Sequence, residues 1–193
     1  KETHVTLTTT QWDEAERIIR EARTAGSGYA PNWHNDLDRM RSAGKFGVPT
    51  TRRVISDLYW RRSGIQHYAS IKTVMPNIDQ TAQAKLDLLH LAAANEACEV
   101  YFGLYYNPFG EAPEDYFWAP AARIFDLTHD APVLVGAAYW DTLGGEGTYA
   151  TILDIAAHAG VVTRPDILAY GERVSAVYAG RAYRTSPGNR VGD

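Results

Sequence analysis

Two runs rich in β-branched and aromatic residues, Arg53–Trp60 and Ile65–Val74, stand either side of the turn-forming segment Arg61-Arg62-Ser63-Gly64. That pattern predicts a β-hairpin, and a hairpin limits what can surround it. One of its faces must be covered, so the remaining segments have to supply helices or further strands. Pro76 and Asn77 end the second run. Thr81–Ala97 follows with Ala, Leu, Gln and Lys and without an internal Gly or Pro, which predicts a helix with Leu86, Leu89 and Ala93 on its apolar stripe. Glu99–Tyr106 is almost continuously apolar and reads as a strand buried on both faces.

The flanking segments complete an α/β layout. Thr8–Ala25 predicts a helix, with Thr10 and Asp13 spaced as a capping box and Gly26 and Gly28 as its stop. A short helix is expected at Asn35–Ser42. Pro132–Trp140 reads as a strand, or as a strand running into a helix. Tyr149–Ala159 and Asp166–Tyr183 read as two helices with a break at Gly160–Pro165, and Thr185–Asp193 as a polar tail. The order predicts a mixed β-sheet core flanked by helices, in a single domain over 1–193. Its core is expected at about 54–160, with a helical segment at 1–50 and a C-terminal helix and tail at 161–193.

Composition excludes several classes. One cysteine, Cys98, leaves no internal disulfide and no cysteine-cluster zinc site, and fits a reducing, cytoplasmic compartment. The six histidines do not pair at metal spacing, and there is no G-x-S-x-G elbow. Asp141–Gly147 is glycine-rich but lacks the Gly-Lys-Ser/Thr of a phosphate loop. The apolar stretch Ala131–Trp140 is too short to span a membrane and is broken by Pro132 and Gly136; Lys1-Glu2-Thr3 has no apolar run behind it. A net charge of −4 argues against coating nucleic acid by bulk charge, but allows a local basic groove beside a carboxylate site.

Chemistry concentrates on the hairpin. Asp57 lies on the first strand; Ser70 and Lys72, two apart on the second, share a face. With the turn near Arg62–Gly64, Asp57 falls opposite Ser70. A carboxylate beside a lysine is what hydrolysis of an anionic phosphodiester needs. A hard divalent cation such as Mg²⁺ takes oxygen ligands, and the lysine can hold the attacking water. Asp57 and the main-chain carbonyl of Ile71 are candidate ligands. By itself this constellation is a weak signal, because a strand-end carboxylate and a solvated strand lysine are the commoner finds.

Three blocks in order extend it. "SDLYWRRSGIQHYASIKTVMPN" resembles the hairpin of TdeIII-type restriction endonucleases, members of the PD-(D/E)xK nucleases, with Asp57, Lys72-Thr73 and Pro76-Asn77 at the matching places. "YYNPFGEAPEDYFW" (Tyr105–Trp118) and "VLVGAAYWDTLGGEGTYATILDIAAHAG" (Val133–Gly160) are similar to later segments of that family. The resemblance covers roughly Val54–Gly160. It implies a type II endonuclease with a restriction-endonuclease-like fold that cuts both strands of double-stranded DNA with Mg²⁺. It also implies a homodimer working beside a cognate DNA methyltransferase.

One position departs from the pattern. Two residues before Lys72 the family site is acidic, and here it is Ser70. The carboxylate is then expected from the following helix, where Asp87 is best placed and Glu96 second. It could also come from the N-terminal helix through Glu14 or Glu21, or the site is weakened, leaving a DNA-binding domain that does not cut. Thr73, Asn77, Arg61 and Arg62 are candidate DNA contacts, as are Arg52, Arg53, Gln83 and Lys85, although exposed charge and turn chemistry account for each about as well. A small interaction domain without any nucleic-acid role is the third reading.

Overall fold

The computed structural model describes residues 1–26 and 28–184, with side chains through 178. Two compact units are separated at Thr148 and Tyr149. The first opens on β1 (Glu2–Thr8), α1 (Thr9–Thr24) and α2 (Trp33–Ala43). It continues with β2 (Pro49–Ile55), β3 (Leu58–Arg62), β4 (Ile65–Lys72), α3 (Ile78–Ala94) and β5 (Glu99–Leu104). A short helix α4 (Ala119–Ala122), strand β6 (Val133–Val135) and helix α5 (Ala137–Gly144) complete it. A four-stranded mixed sheet runs β3-β4-β5-β6, antiparallel at its first pairing and parallel at the other two.

The hairpin forms as its composition dictates. Arg62 pairs with Ile65, so Ser63 and Gly64 are the whole loop. Both have positive φ, 52° and 83°, the backbone twist that matches a two-residue turn to its strands. The first run, however, does not stay in one sheet. Its front half, β2, pairs antiparallel with β1 in a separate ribbon. Ser56 donates its amide to the carbonyl of Lys1 at 2.9 Å, and the chain then swings away to begin β3 at Leu58. Asp57 therefore sits in the break between two strands rather than within one.

Helices cover both faces of the larger sheet. Tyr68, Ser70 and Lys72 register with Val100, Phe102 and Leu104 on one face. Phe102 stacks there on Phe125 with centroids 4.7 Å apart, and α3 packs over it with Leu88 and Leu89 buried. Gly103 points the opposite way, and a Cβ there would come within 2.5 Å of the Tyr139 ring, so α5 lies directly on the second face. Only a residue without a side chain lets the ring approach this closely.

Several local expectations are corrected. The cap of α1 is Thr8 with Gln11, not Thr10 with Asp13, because the Thr10 hydroxyl donates instead to the carbonyls of Ala43 and Phe46. α3 begins three residues earlier than Thr81, capped by Asn77 and Gln80. Strand β1 was not expected at all. The second unit carries one helix, α6 (Thr148–Arg184), which passes through Pro165 without the expected break. Proline removes the bond to the carbonyl four residues back and crowds that carbonyl, yet the helix continues on both sides of it. The tail beyond Arg184 lies outside the described residues. Among the described residues no helix is long and apolar enough to cross a membrane.

The centre of the first unit holds a charge. Lys85 is fully buried, with Nζ 2.6 Å from Asp36 and 2.7 Å from the carbonyl of Ile124, above the Phe125 ring at 5.2 Å. Asp36→Ala leaves this ammonium without its counter-charge and is expected to cost about 3–5 kcal/mol in urea unfolding, whereas Asp36→Leu with Lys85→Met recovers most of the loss. His90 is buried against Trp12 at 4.2 Å. Burial, helped by Arg52, pushes its imidazole down to about 3 from 6.5. The unfolded chain then binds the proton that the folded chain refuses, so stability falls as pH drops below 6.5, approaching about 1.4 kcal/mol per pH unit. His90→Phe keeps a ring against Trp12, and melting temperatures followed from pH 7 to pH 5 are expected to fall less steeply in it than in the natural sequence.

Candidate active site

The site forms where the parallel strands β4 and β5 end. Beginning β3 one residue after Asp57 places that carboxylate opposite Ser70, one step beyond the Leu58–Ala69 pair. Asp57 Oδ2 accepts the backbone N–H of Ile71 at 2.8 Å, the Lys72 ammonium at 3.0 Å and the Ser70 hydroxyl at 3.4 Å. The carboxylate continues the hydrogen bonding of the sheet after the strand itself has left it. Partial burial would raise the Asp57 carboxyl, but Lys72, the Ile71 amide and Ser70 together hold it below the usual carboxylate value. Lys72 Nζ also donates to the carbonyl of Ile71 at 3.2 Å, so one cation bridges two oxygens, Asp57 Oδ2 and Ile71 O.

Ser70 is buried, and its hydroxyl donates to Asp57. Of the four carboxylates considered in its place, only Asp87 carries the electrostatic imprint of the centre. Burial raises its carboxyl, the Gln83 amide and the Lys72 ammonium pull it back, and the charge of Asp57 raises it again. Gln83 Nε2 holds Asp87 Oδ1 at 3.0 Å, one turn along α3. The others are engaged by arginine: Glu14 with Arg17 and with Arg39 at 2.8 Å, Glu21 with Arg39 at 2.8 Å, and Glu96 with Arg41 at 3.3 Å.

The remaining candidates separate. Thr73 is exposed directly after Lys72, and Arg61 is exposed on β3. Asn77 accepts the Gln80 amide at 2.8 Å as the cap of α3. Arg62 donates to the carbonyls of Thr142 at 2.9 Å and Leu143 at 2.6 Å, fastening the C-terminal turn of α5 to the hairpin. Arg53 pairs with Glu2 at 3.3 Å, and Arg52 lies over the Trp12 ring at 4.8 Å. Lys85, read as a helix-surface lysine, is instead the buried cation of the core. Tyr139 was not anticipated. Its phenol is raised by burial and by the charge of Asp57, and its ring lies against Gly103, one residue before β5 ends at Leu104. The only sequence signal for it was its place in the Gly136-Ala-Ala-Tyr-Trp block.

The oxygens suit a hard cation. The bridging ammonium shows that Asp57 Oδ2 and Ile71 O converge on one point of positive charge, with a second carboxylate, Asp87, within its field. Among the described residues no three His, Cys, Asp or Glu side chains cluster as a metal cage. A cation here would rest on two carboxylates, a carbonyl and water, an arrangement Mg²⁺ tolerates because it keeps several waters.

Comparison with known proteins gives a family. No curated protein matches the chain, and no solved structure does. The model of one family, described as "Type II restriction endonuclease, HinfI", matches residues 1–160. The match includes β1, α1 and α2, which the TdeIII-type resemblance left uncovered, and it names the HinfI type rather than the TdeIII type. Spanning both sheets and every residue placed at the centre, it shows that the chain belongs to the HinfI family of restriction endonucleases.

Proposed function

We propose that this endonuclease is a Mg²⁺-dependent type II enzyme that hydrolyses both strands of double-stranded DNA at a short specific site, with Asp57, Lys72 and Asp87 at its centre. One observation carries the reading: the Lys72 ammonium bridging Asp57 Oδ2 and the Ile71 carbonyl within the field of Asp87. Bound Mg²⁺ would neutralise the phosphodiester and lower the pKa of a coordinated water. Asp57, Asp87 and the Ile71 carbonyl would hold it. Asp57 suits this because its carboxyl is kept ionised by its partners. Lys72 would then turn from the ligand oxygens to the attacking water and the scissile phosphate, where its charge offsets what develops on the oxygens. Ser70 would act through Asp57, holding its carboxylate rather than touching metal. Thr73, directly after Lys72, would meet the DNA backbone beside the centre, Arg61 would meet it farther along the hairpin, and Asn77 would add to the contact.

The wider reading follows from the substrate. A palindromic site is met by two copies related by a two-fold axis, so the active species is a homodimer. Host DNA needs protection from such an activity, which makes a cognate methyltransferase the functional partner and the cytoplasm the place of action. The TdeIII-type likeness of the hairpin is retained as kinship within the same nuclease class. A second reading rests on Ser70: a centre without its usual acidic residue can bind DNA without cutting.

Incubation of unmethylated phage DNA with the full chain and Mg²⁺ tests both. Discrete bands are expected, and Lys72→Ala, Asp57→Asn and Asp87→Asn should each lower the rate by about 10²–10³-fold. Glu96→Gln should cut as the natural sequence does. Equal loss in Glu96→Gln with Asp87→Asn active would move the second carboxylate to Glu96. Intact DNA throughout, with a gel shift in Ca²⁺, would overturn the enzyme in favour of the binding domain.

A further inference from the structure

The same edge of the sheet carries apolar surface that the proposed chemistry does not use. β5 ends at Leu104, in register with Lys72, so Tyr105 and Tyr106 leave the sheet beside Thr73. Their rings are in contact at 5.2 Å and stand 37% and 41% exposed. Phe109, on the same segment, and Met75, two residues after Thr73, are each 47% exposed. Phe109 leans on the buried Tyr116 at 5.9 Å, whose hydroxyl donates to the carbonyl of Val74 at 2.9 Å, immediately before Met75.

The segment bearing these rings is braced. Trp140 donates its indole N–H to the carbonyl of Tyr105 at 2.7 Å. Asn107 accepts the Phe109 amide at 3.0 Å and donates to the carbonyl of Ala112 at 2.7 Å. Trp118 donates to the carbonyl of Pro76 at 2.7 Å. Rings exposed on a fixed loop keep apolar area in water, and nearby Leu104 and Tyr116 show that burial was within reach. The charge of the segment narrows the occupant. Tyr105–Trp118 contains Glu111, Glu114 and Asp115 and no Lys or Arg, so it cannot hold phosphates by charge. Beside a phosphodiester centre, what this edge can offer DNA is aromatic area and neutral hydroxyls rather than charge.

We propose that Tyr105, Tyr106, Phe109 and Met75 form a wedge that enters between base pairs next to the scissile phosphate, unstacking one step and kinking the duplex towards the Asp57–Lys72 centre. Apolar side chains inserted into a base step do this in other DNA-binding proteins, and the cost of unstacking is offset by the contacts that the bend permits. Every base offers a π-face, so the wedge selects for easily unstacked steps rather than for hydrogen-bonding edges.

This inference rests on the nuclease reading, and its test separates the two. Once cut positions on phage DNA are mapped, duplexes of about 30 base pairs (a length set by the footprint of such sites) carry 2-aminopurine at each position across the cut. They are titrated with the full chain in Ca²⁺. Fluorescence is expected to rise at one or two positions beside the cut, to rise equally with Lys72→Ala, and to be lost in Tyr105→Ala/Tyr106→Ala and in Phe109→Ala. Those variants should bind about tenfold more weakly and melt at an unchanged temperature, while Phe109→Leu keeps the signal. A dark duplex at every position under saturating wild-type protein, with the variants cutting normally, would overturn the wedge and leave the nuclease standing. Variants that become monomers by size-exclusion chromatography would make the patch a contact between copies and also overturn it. No cleavage by the natural sequence would remove the reading beneath both.

Discussion

A buried ammonium organises the first unit. Lys85 has no route to water, so its charge must be met where it lies, by Asp36 of α2, the carbonyl of Ile124 and the face of Phe125. Those partners come from separate parts of the chain, and meeting them fixes the height and rotation of α3 against the sheet. Phe125 also stacks on Phe102 of β5, so the same cluster ties α3 to the strand beside Lys72. Asp87 lies two residues along α3 from Lys85 and faces another way. The geometry that a polar core imposes on α3 thus also sets the position of Asp87, the carboxylate proposed as the second of the site.

How far the sequence could foretell this varied with the range of each interaction. The hairpin was legible because its determinants are local. Ser63 and Gly64 accept positive φ, β-branched and aromatic residues flank them, and counting outward from that turn puts Asp57 opposite Ser70. The α3 helix, β5 and the strand-to-helix passage from β6 to α5 were legible for the same reason. β1 was not, because Val5 and Leu7 are buried only once β1 is paired with the distant β2 and packed against α3 and α1. The split of the first β-rich run was equally hidden, since both halves are good strand formers and the break at Ser56 is set by the carbonyl of Lys1. Lys85 reads as surface by type, and only its placement beside Asp36 makes burial tolerable. Arg62 looked like a DNA contact and Tyr139 like nothing in particular until α5 was laid across Gly103.

The site itself was half legible. Residue spacing predicts a carboxylate, a carbonyl and a lysine on one sheet edge, and that is their arrangement. It could not say which carboxylate stands in for Ser70, because that depends on side chains brought together from different elements. The structure separates the four candidates by their neighbours: three pair with arginines, and Asp87 is bonded by Gln83 and feels the charges of Lys72 and Asp57. A carboxylate already neutralised by a guanidinium is a poor ligand for a second cation. One raised by burial and by another carboxylate is stabilised by gaining one.

The acidic balance of the chain takes on a different meaning beside these contacts. A net charge of −4 would be a poor starting point for a protein that held DNA by its phosphates alone. Many arginines are already engaged within the fold: Arg17, Arg39 and Arg41 with carboxylates on the helices, Arg62 and Arg123 with backbone carbonyls. Phosphate affinity must then come from few cations, with Lys72 at the centre and the exposed Arg61 farther off, toward the hairpin turn. Such an enzyme needs contacts that do not rely on charge, and the exposed rings beside Thr73 are where the fold can supply them. Weak phosphate grip and strong base contact together favour selectivity, because binding that owes little to the backbone falls away wherever the base step resists opening.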